Sequence, residues 1–445
     1  MRSNGRSIGL CVVLFLAAGP VGAQSTKSDP EDLLRLADNV FHLSEVMLRD
    51  GTNPPGAARF YAYSMLGAYM TVYTAEHQLP DITSRFRQDP KFKFLKKPRS
   101  FNLSFCSTYA LLEVGKRIMP SGKMLGENQR NLVNEFGKNK KLSDREIAQN
   151  IRYAVEIANQ VLDYAKTDGY GKLSTFTGYT PRKGEGYWYP TPPVYMAAVE
   201  PDWETIRPFF MESADQFSPM PPTSFSMDST SAFYGQVMEV YRTVKELNDE
   251  QRLIANFWDC NPFAVSFSGH MAIGLKKISP GGHWMGITGI SCRKAGVPLD
   301  SAIFIHTAVA MTLHDAFISC WQEKYKSNRI RPETVINRLI DPDWRPVLQT
   351  PPFPEYTSGH SAVSASAAVV LTHFFGDNFS FVDDTELYFG LPERRFNSFY
   401  EASEEAAISR LYGGIHYRDA CEEGVIQGKK VGNYVVRSVF DVGSE

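Results

Sequence analysis

The sequence predicts an all-α protein, on three observations. Apolar residues recur at helical spacing through most of the chain. No segment shows the clear two-residue alternation of a half-buried strand, and no internal repeat recurs at a fixed period. A proline-dense stretch over 167–230 separates two helix-rich regions. With 445 residues the chain suits one large domain or two ordinary ones, with a substantial core.

Residues 1–23 read as a secretory signal. Arg2 and Arg6 precede an apolar run over 8–18, and Val21-Gly22-Ala23 offers a small-residue cleavage site before Gln24. A short membrane anchor is the competing reading. Cys11 lies inside the apolar run rather than after it, which argues against a lipoprotein signal. Helices are expected over roughly 31–48, 58–76 and 143–165. The last opens on Ser143-Asp144-Arg145-Glu146, a Ser followed three later by Glu, which is a capping box.

Over 167–230, Trp188-Tyr189-Pro190-Thr191-Pro192-Pro193 and Ser218-Pro219-Met220-Pro221-Pro222 block long helices. This stretch reads as an ordered, aromatic-rich connection. It closes an N-terminal helical region, 24–230, ahead of a C-terminal helical domain, 231–445. Further helices are expected over 231–246, 249–258, 300–325, 361–375, 400–412 and 422–438. The 300–325 segment is apolar on several sides, as a central buried helix would be.

Lys plus Arg total 47 and Asp plus Glu 49, so no basic stripe points to nucleic acid. No stretch after the signal supplies the roughly 18–20 consecutive apolar residues of a stable membrane span. The expected product is a soluble exported protein, periplasmic or extracellular. Its five remaining cysteines, Cys106, Cys260, Cys292, Cys320 and Cys421, form no Cys-x-x-Cys pair. The odd count leaves at least one thiol free and allows one disulfide.

Three stretches carry candidate chemistry. Lys324 and Arg331 are seven apart, two turns along a helix face. Pro332 places Arg331 at or beyond the helix end. A solvated basic face is the competing reading. The run 351–361, PPFPEYTSGHS, holds an extended approach that delivers Ser358-Gly359 to a helix start. Helix N-termini expose unpaired amides and favour anions. Gly359 admits close approach, the Ser358 hydroxyl can donate, and His360 titrates near neutral pH. The competing reading is a Ser cap with a structural histidine. Arg410 and His416 are six apart, roughly 240° around a continuous helix. Gly413-Gly414 can end the helix and turn His416 back towards the same point. Together these residues describe a pocket for a tetrahedral oxyanion, whose burial demands several cations.

Lys-x6-Arg-Pro, Ser-Gly-His and Ser-Arg-x5-His, in that order from Lys324 to His416, cover about a fifth of the chain. They resemble the signature shared by vanadium-dependent haloperoxidases and type-2 phosphatidic acid phosphatases, with helical bundles as the implied fold. The resemblance implies that Lys324, Arg331, Ser358, Gly359 and Arg410 hold vanadate oxygens. It implies that His416 coordinates vanadium, or acts as nucleophile in the phosphatases. His360 would be the acid–base group. Trp321 and Phe353 fall where haloperoxidases carry halide-pocket residues.

Two positions depart from the phosphatase pattern: Thr357 stands for a proline, and Ala420 for an aspartate four after His416. Asp419 or a carbonyl is then the expected partner of His416, and Asp259 is a candidate partner for Arg410. The earlier Ser268-Gly269-His270 has no preceding Lys-x6-Arg-Pro and reads as accidental. His306 and His314 read as structural. His283-Trp284 reads as either an entrance or core.

The implied reaction is oxidation of halide by hydrogen peroxide on vanadate, with iodide or bromide ahead of chloride because iodide is easiest to oxidise. An exported acid phosphatase working through a phosphohistidine is the alternative. A non-catalytic exported helical binding protein is a third reading. A homo-oligomer is compatible with each.

Overall fold

The structure is a computed structural model that describes residues 29–440 except 77–78, 139–141, 193, 263–264, 269–270 and 275. The signal reading, and Gly269 and His270, lie outside the described residues. The fold is all-α, as expected. The N-terminal half contains α1 (Pro30–Asp50), α2 (Pro54–Glu76), α3 (Leu103–Ile118), α4 (Leu125–Lys138) and α5 (Asp144–Ala165). The C-terminal half contains α6 (Ala232–Glu246), α7 (Asp249–Phe257), α8 (Pro280–Ala295), α9 (Leu299–Ser327), α10 (Pro332–Leu339), α11 (Gly359–Phe375), α12 (Phe399–Tyr412) and α13 (Arg418–Phe440). Two short antiparallel hairpins, not expected from the sequence, pair β1 (Val265–Ser268) with β2 (Met271–Gly274) and β3 (Phe381–Asp383) with β4 (Arg394–Phe396).

Local chemistry explains several boundaries. Ser143 accepts from the Glu146 amide while the Glu146 carboxylate accepts from the Ser143 amide, completing the capping box that opens α5. α2 starts earlier than expected because Pro54 and Pro55 sit in its first turn, where no amide donor is missed. The described residues of 167–230 form no α-helix, only short 3-10 turns at Tyr170–Thr175 and Trp203–Thr205.

The core is built around α9. It is long and apolar enough to cross a membrane, but its most apolar window is wholly buried in protein. It packs against α2, α8, α11 and α13. α13 presses on the start of α11 because α13 presents glycines there. A Cβ on Gly428 would lie 2.0 Å from the Ala362 carbonyl oxygen, and one on Gly432 2.8 Å from that of Ser366. That approach holds the Ser358-Gly359-His360 turn in place.

His306 and His314 are core residues on α9, as expected. His306 Nδ1 donates to the Ala302 carbonyl at 2.7 Å, and His314 Nε2 to the Arg207 carbonyl at 3.3 Å. Burial pushes both pKa values down to about 4. A folded pKa below the unfolded value of about 6.5 gives stability that is present above 6.5 and lost as pH falls towards 4. His306→Gln keeps a donor for Ala302 and removes one such titration. Between pH 7 and pH 5 it is expected to lose about 2 kcal/mol less stability than the wild type. Denaturant unfolding at both pH values measures the difference. Equal losses in the two proteins contradict it.

Candidate active site

The cations come first, because burial dictates their geometry. Lys324, in the last turn of α9, is fully buried, and burial pushes its pKa down to about 7. Its ammonium donates to the carbonyls of Pro354 at 3.1 Å, Glu355 at 3.1 Å and Thr357 at 2.5 Å. α9 ends at Asn328, which takes a left-handed conformation at φ 51°. Arg331 is extended, φ −81° and ψ 150°, and Pro332 begins α10. So Arg331 lies beyond the end of the helix that carries Lys324, as expected from Pro332. Its guanidinium donates to Phe353 O at 2.9 Å, Ile415 O at 2.9 Å and Pro354 O at 3.3 Å. Burial lowers its pKa to about 10.

These contacts account for the proline-studded run. Residues 351–357 form an irregular strap, bent at 352–353 and 356–357 rather than extended throughout, whose carbonyls wrap two buried cations. Without those carbonyls, each charge would be desolvated at a cost of several kcal/mol. The strap ends at Ser358, the N-cap of α11. The Ser358 hydroxyl accepts from the Ser361 amide at 3.3 Å and shares a 2.8 Å hydrogen bond with the Ser361 hydroxyl.

Arg410 occupies the last turn of α12. Its Nη1 donates to the Trp258 carbonyl at 2.7 Å, and its Nε is buried with no partner. Gly413 and Gly414 then reverse the chain, as expected. Gly414 has φ +75°, and a Cβ there would lie 2.8 Å from Val244. The turn brings His416 Nε2 to 3.2 Å from Arg331 Nη1.

The partner of His416 is Glu355, which the sequence reading missed. His416 Nδ1 donates to Glu355 Oε1 at 2.9 Å, and the Tyr417 amide donates to the same oxygen at 2.9 Å. Arg329 Nε donates to Glu355 Oε2 at 2.6 Å. Asp419, the expected partner, instead takes a bidentate contact from Arg329 at 2.7 and 2.6 Å. The available signal was that Glu355 is the only acid in the strap. With Nδ1–H held by Glu355, His416 presents the Nε2 lone pair to the cations.

One small cleft gathers His360, His416, Arg410, Gly359, Trp321 and Phe353 on its walls. Burial, followed by Arg331, Lys324 and Arg410, holds His416 well below the usual imidazole range. Burial, Arg410 and His416 do the same to His360, whose Nε2 is buried without a partner. Both rings are therefore neutral at pH 7. Trp321 and Phe353 meet at 5.0 Å between ring centres. Lys324 Nζ and Arg331 Cζ lie 5.1 and 5.0 Å from the Phe353 ring. Every residue singled out for the pocket is thus brought to one region.

Other expectations need correction. His283 and Trp284 are fully buried and line no entrance. Asp259 has its ion-pair contact with Lys277 at 3.9 Å, while the Arg410 bond goes to the Trp258 carbonyl. Burial raises the Asp259 pKa, with Arg410 and Lys277 opposing. All five cysteines are buried and unpaired, so no disulfide forms among them.

The residues present fit a small oxyanion. Arg410 Nε and His360 Nε2 are buried polar atoms lacking partners at the cleft. A Cβ on Gly359 would lie 3.5 Å from Trp321 and 4.0 Å from Lys324, so glycine leaves that space open. The first turn of α11 adds amide donors and partial positive charge.

Arg410 and two neutral histidines on one cleft, with Lys324 and Arg331 buried against its Phe353 wall, fit the binding of an oxyanion on an all-helical scaffold. Known proteins narrow that class. The family described as the VCPO second helical-bundle domain matches residues 338–443. The crystal structure described as the first bacterial vanadium-dependent iodoperoxidase is 42% identical. That match covers 92% of this chain and 96% of the other, with a TM-score of 0.84. Holo and apo structures of a bacterial vanadium-dependent chloroperoxidase, each 15% identical, share the fold. Their TM-scores are 0.68 and 0.66; the holo match covers 87% of this chain and 93% of the other, the apo match 86% and 94%. No curated protein matches the chain. The chain belongs to the bacterial vanadium-dependent haloperoxidase family.

Proposed function

We propose that this chain oxidises iodide with hydrogen peroxide, using vanadate held by Lys324, Arg331, Ser358, Gly359, Arg410 and His416. The peroxidase class and the vanadate cofactor follow from the family. Bound vanadate supplies a Lewis-acid centre that activates peroxide towards a halide. The observation that carries the residue roles is the orientation of His416. Glu355 holds Nδ1–H, so Nε2, 3.2 Å from Arg331 Nη1, keeps a lone pair that would ligate the metal of a bound vanadate.

Each residue has a physical task. Lys324, Arg331 and Arg410 supply positive charge that offsets the desolvation of a buried anion. The α11 amides at Gly359 and His360 orient its oxygens. His360, neutral and with a bare Nε2, accepts a proton from incoming peroxide and returns it to the leaving oxygen. Trp321 and Phe353, with Phe317 and Pro351, form an apolar wall that excludes water and suits a large, weakly hydrated halide. The iodide preference rests on that wall, on the ease of iodide oxidation, and on the iodoperoxidase described for the 42% identical relative.

Steady-state assays of the vanadate-loaded protein with peroxide test the preference. The expected order of kcat/KM is iodide, then bromide, with chloride not turned over. Equal bromide and iodide values, or chloride turnover, contradict it. Hydrolysis of p-nitrophenyl phosphate by the vanadate-free protein without any halide oxidation when loaded would favour the phosphatase reading.

A further inference from the structure

A second cluster lies behind the cleft wall, between the end of α7, the start of α8 and the turn after β3. Cys260 Sγ is 3.4 Å from His283 Nδ1, and Glu386 Oε1 is 3.4 Å from the same nitrogen. One ligand atom from each of the three lies within 4.8 Å of the other two. All three residues are buried, His283 and Glu386 at 0% exposure. On the far side of the ring, His283 Nε2 donates to Asp383 Oδ2 at 2.7 Å. Asp383 is itself fixed, through Oδ1, by the Thr385 amide and hydroxyl.

The cluster lacks donors to Glu386. Both carboxylate oxygens of Glu386 are buried without a hydrogen-bond partner. Buried polar atoms are almost always satisfied, and an exception calls for an explanation such as an ion. The neutral ring with its proton on Nε2 turns a lone pair, a thiol and a carboxylate towards one point. A doubly protonated ring offers a single Nδ1–H to two acceptors and still leaves Glu386 Oε2 bare. A divalent cation satisfies all three groups at once.

We propose that Cys260, His283 and Glu386 bind a zinc-class divalent cation, with Asp383 orienting the imidazole. Sulfur, nitrogen and oxygen donors in one set suit Zn²⁺, which takes four ligands tetrahedrally, and water completes the set. Ligands at zinc bonding distances lie about 3.5 Å apart along a tetrahedral edge, so the two 3.4 Å separations fit. Binding converts the Cys260 thiol to thiolate and releases its proton to solvent. Asp383 supplies the carboxylate–histidine support typical of metal-bound imidazoles.

The site stiffens the wall of the anion cleft. Cys260 and Asp259 line that cleft. The Trp258 ring stacks on His283 at 4.5 Å and 16°, and the Trp258 carbonyl receives Arg410 at 2.7 Å. This site stands on its own contacts and does not depend on the iodide reading.

The test uses the full chain, stripped with chelator, loaded with Zn²⁺ or Co²⁺ and dialysed. Metal per chain is read by mass spectrometry, and thiolate ligation by the near-ultraviolet charge-transfer band of Co²⁺. One retained equivalent per chain is expected, with a thiolate band. Cys260→Ser should abolish the band, Glu386→Gln should weaken retention at least tenfold, and Cys292→Ser should change neither. If Cys260→Ser fails to fold, the wild-type stoichiometry and band decide alone. No retained metal in the wild type, no thiolate band, or unchanged retention in Cys260→Ser and Glu386→Gln overturns the proposal.

Discussion

His416→Ala is expected to lose peroxide-dependent iodide oxidation by on the order of 10³-fold while remaining folded. Partners that only support a metal-bound histidine are worth about 10–100-fold, and removing the ligand itself should cost more. The fold should survive because Glu355 keeps two other donors, Arg329 Nε and the Tyr417 amide. No buried carboxylate is left unpaired. Initial rates with saturating vanadate, beside thermal melts of both proteins, separate the chemical loss from unfolding. Turnover within tenfold of wild type would show that His416 does not hold the cofactor.

Glu355→Gln is expected to weaken vanadate binding by about 10–100-fold. The glutamine can still accept from His416 or from the Tyr417 amide. Its NH₂ then faces the Arg329 Nε donor, so the side chain must turn, and the imidazole loses its charged anchor. Arg329 keeps its bidentate contact with Asp419, which limits the damage to stability. Asp419→Asn is the contrast: the Asp419 carboxylate accepts from Arg329 and Thr223 while His416 bonds Glu355, so vanadate affinity should stay within a few-fold of wild type. Vanadate titrations of the three proteins check both statements. A larger loss in Asp419→Asn than in Glu355→Gln would restore the partner expected from sequence.

That contrast marks where the sequence stops being legible. Glu355 and Asp419 are both close to site residues in the chain, five before His360 in one case and three after His416 in the other. Only the path of the strap decides between them. It turns Glu355 inward, 61 positions along the chain from the histidine it holds. Local signals fared better. Pro332 fixed the extended backbone of Arg331, and Gly413-Gly414 the reversal before His416.

Among helices, α8 shows why periodicity failed. It contains Gly281, Gly282, Gly286 and Gly289, residues that disfavour a helix locally. Packing explains at least one of them, since a Cβ on Gly282 would lie 2.7 Å from the Tyr61 hydroxyl. Tertiary contact there outweighs propensity. The convergence of Lys324, Arg331 and Arg410 was readable as an ordered motif. The carbonyl strap that makes their burial tolerable was not, because backbone acceptors leave no mark on residue type.

The central claim is that residues between 324 and 416 close one cage around one tetrahedral oxyanion. Calorimetric titration of vanadate into the vanadate-free protein, in wild type and Arg410→Ala, tests it most directly. Arg410 is the suitable probe because Lys324 and Arg331 also hold the strap, whereas Arg410 keeps an unpaired Nε for a ligand. A charged hydrogen bond is worth about 1.5–3 kcal/mol, or roughly 10–150-fold in affinity. The account predicts one vanadate per chain, displaced by phosphate, and a loss of that size in the variant. Absence of saturable binding, or wild-type affinity in Arg410→Ala, would contradict it.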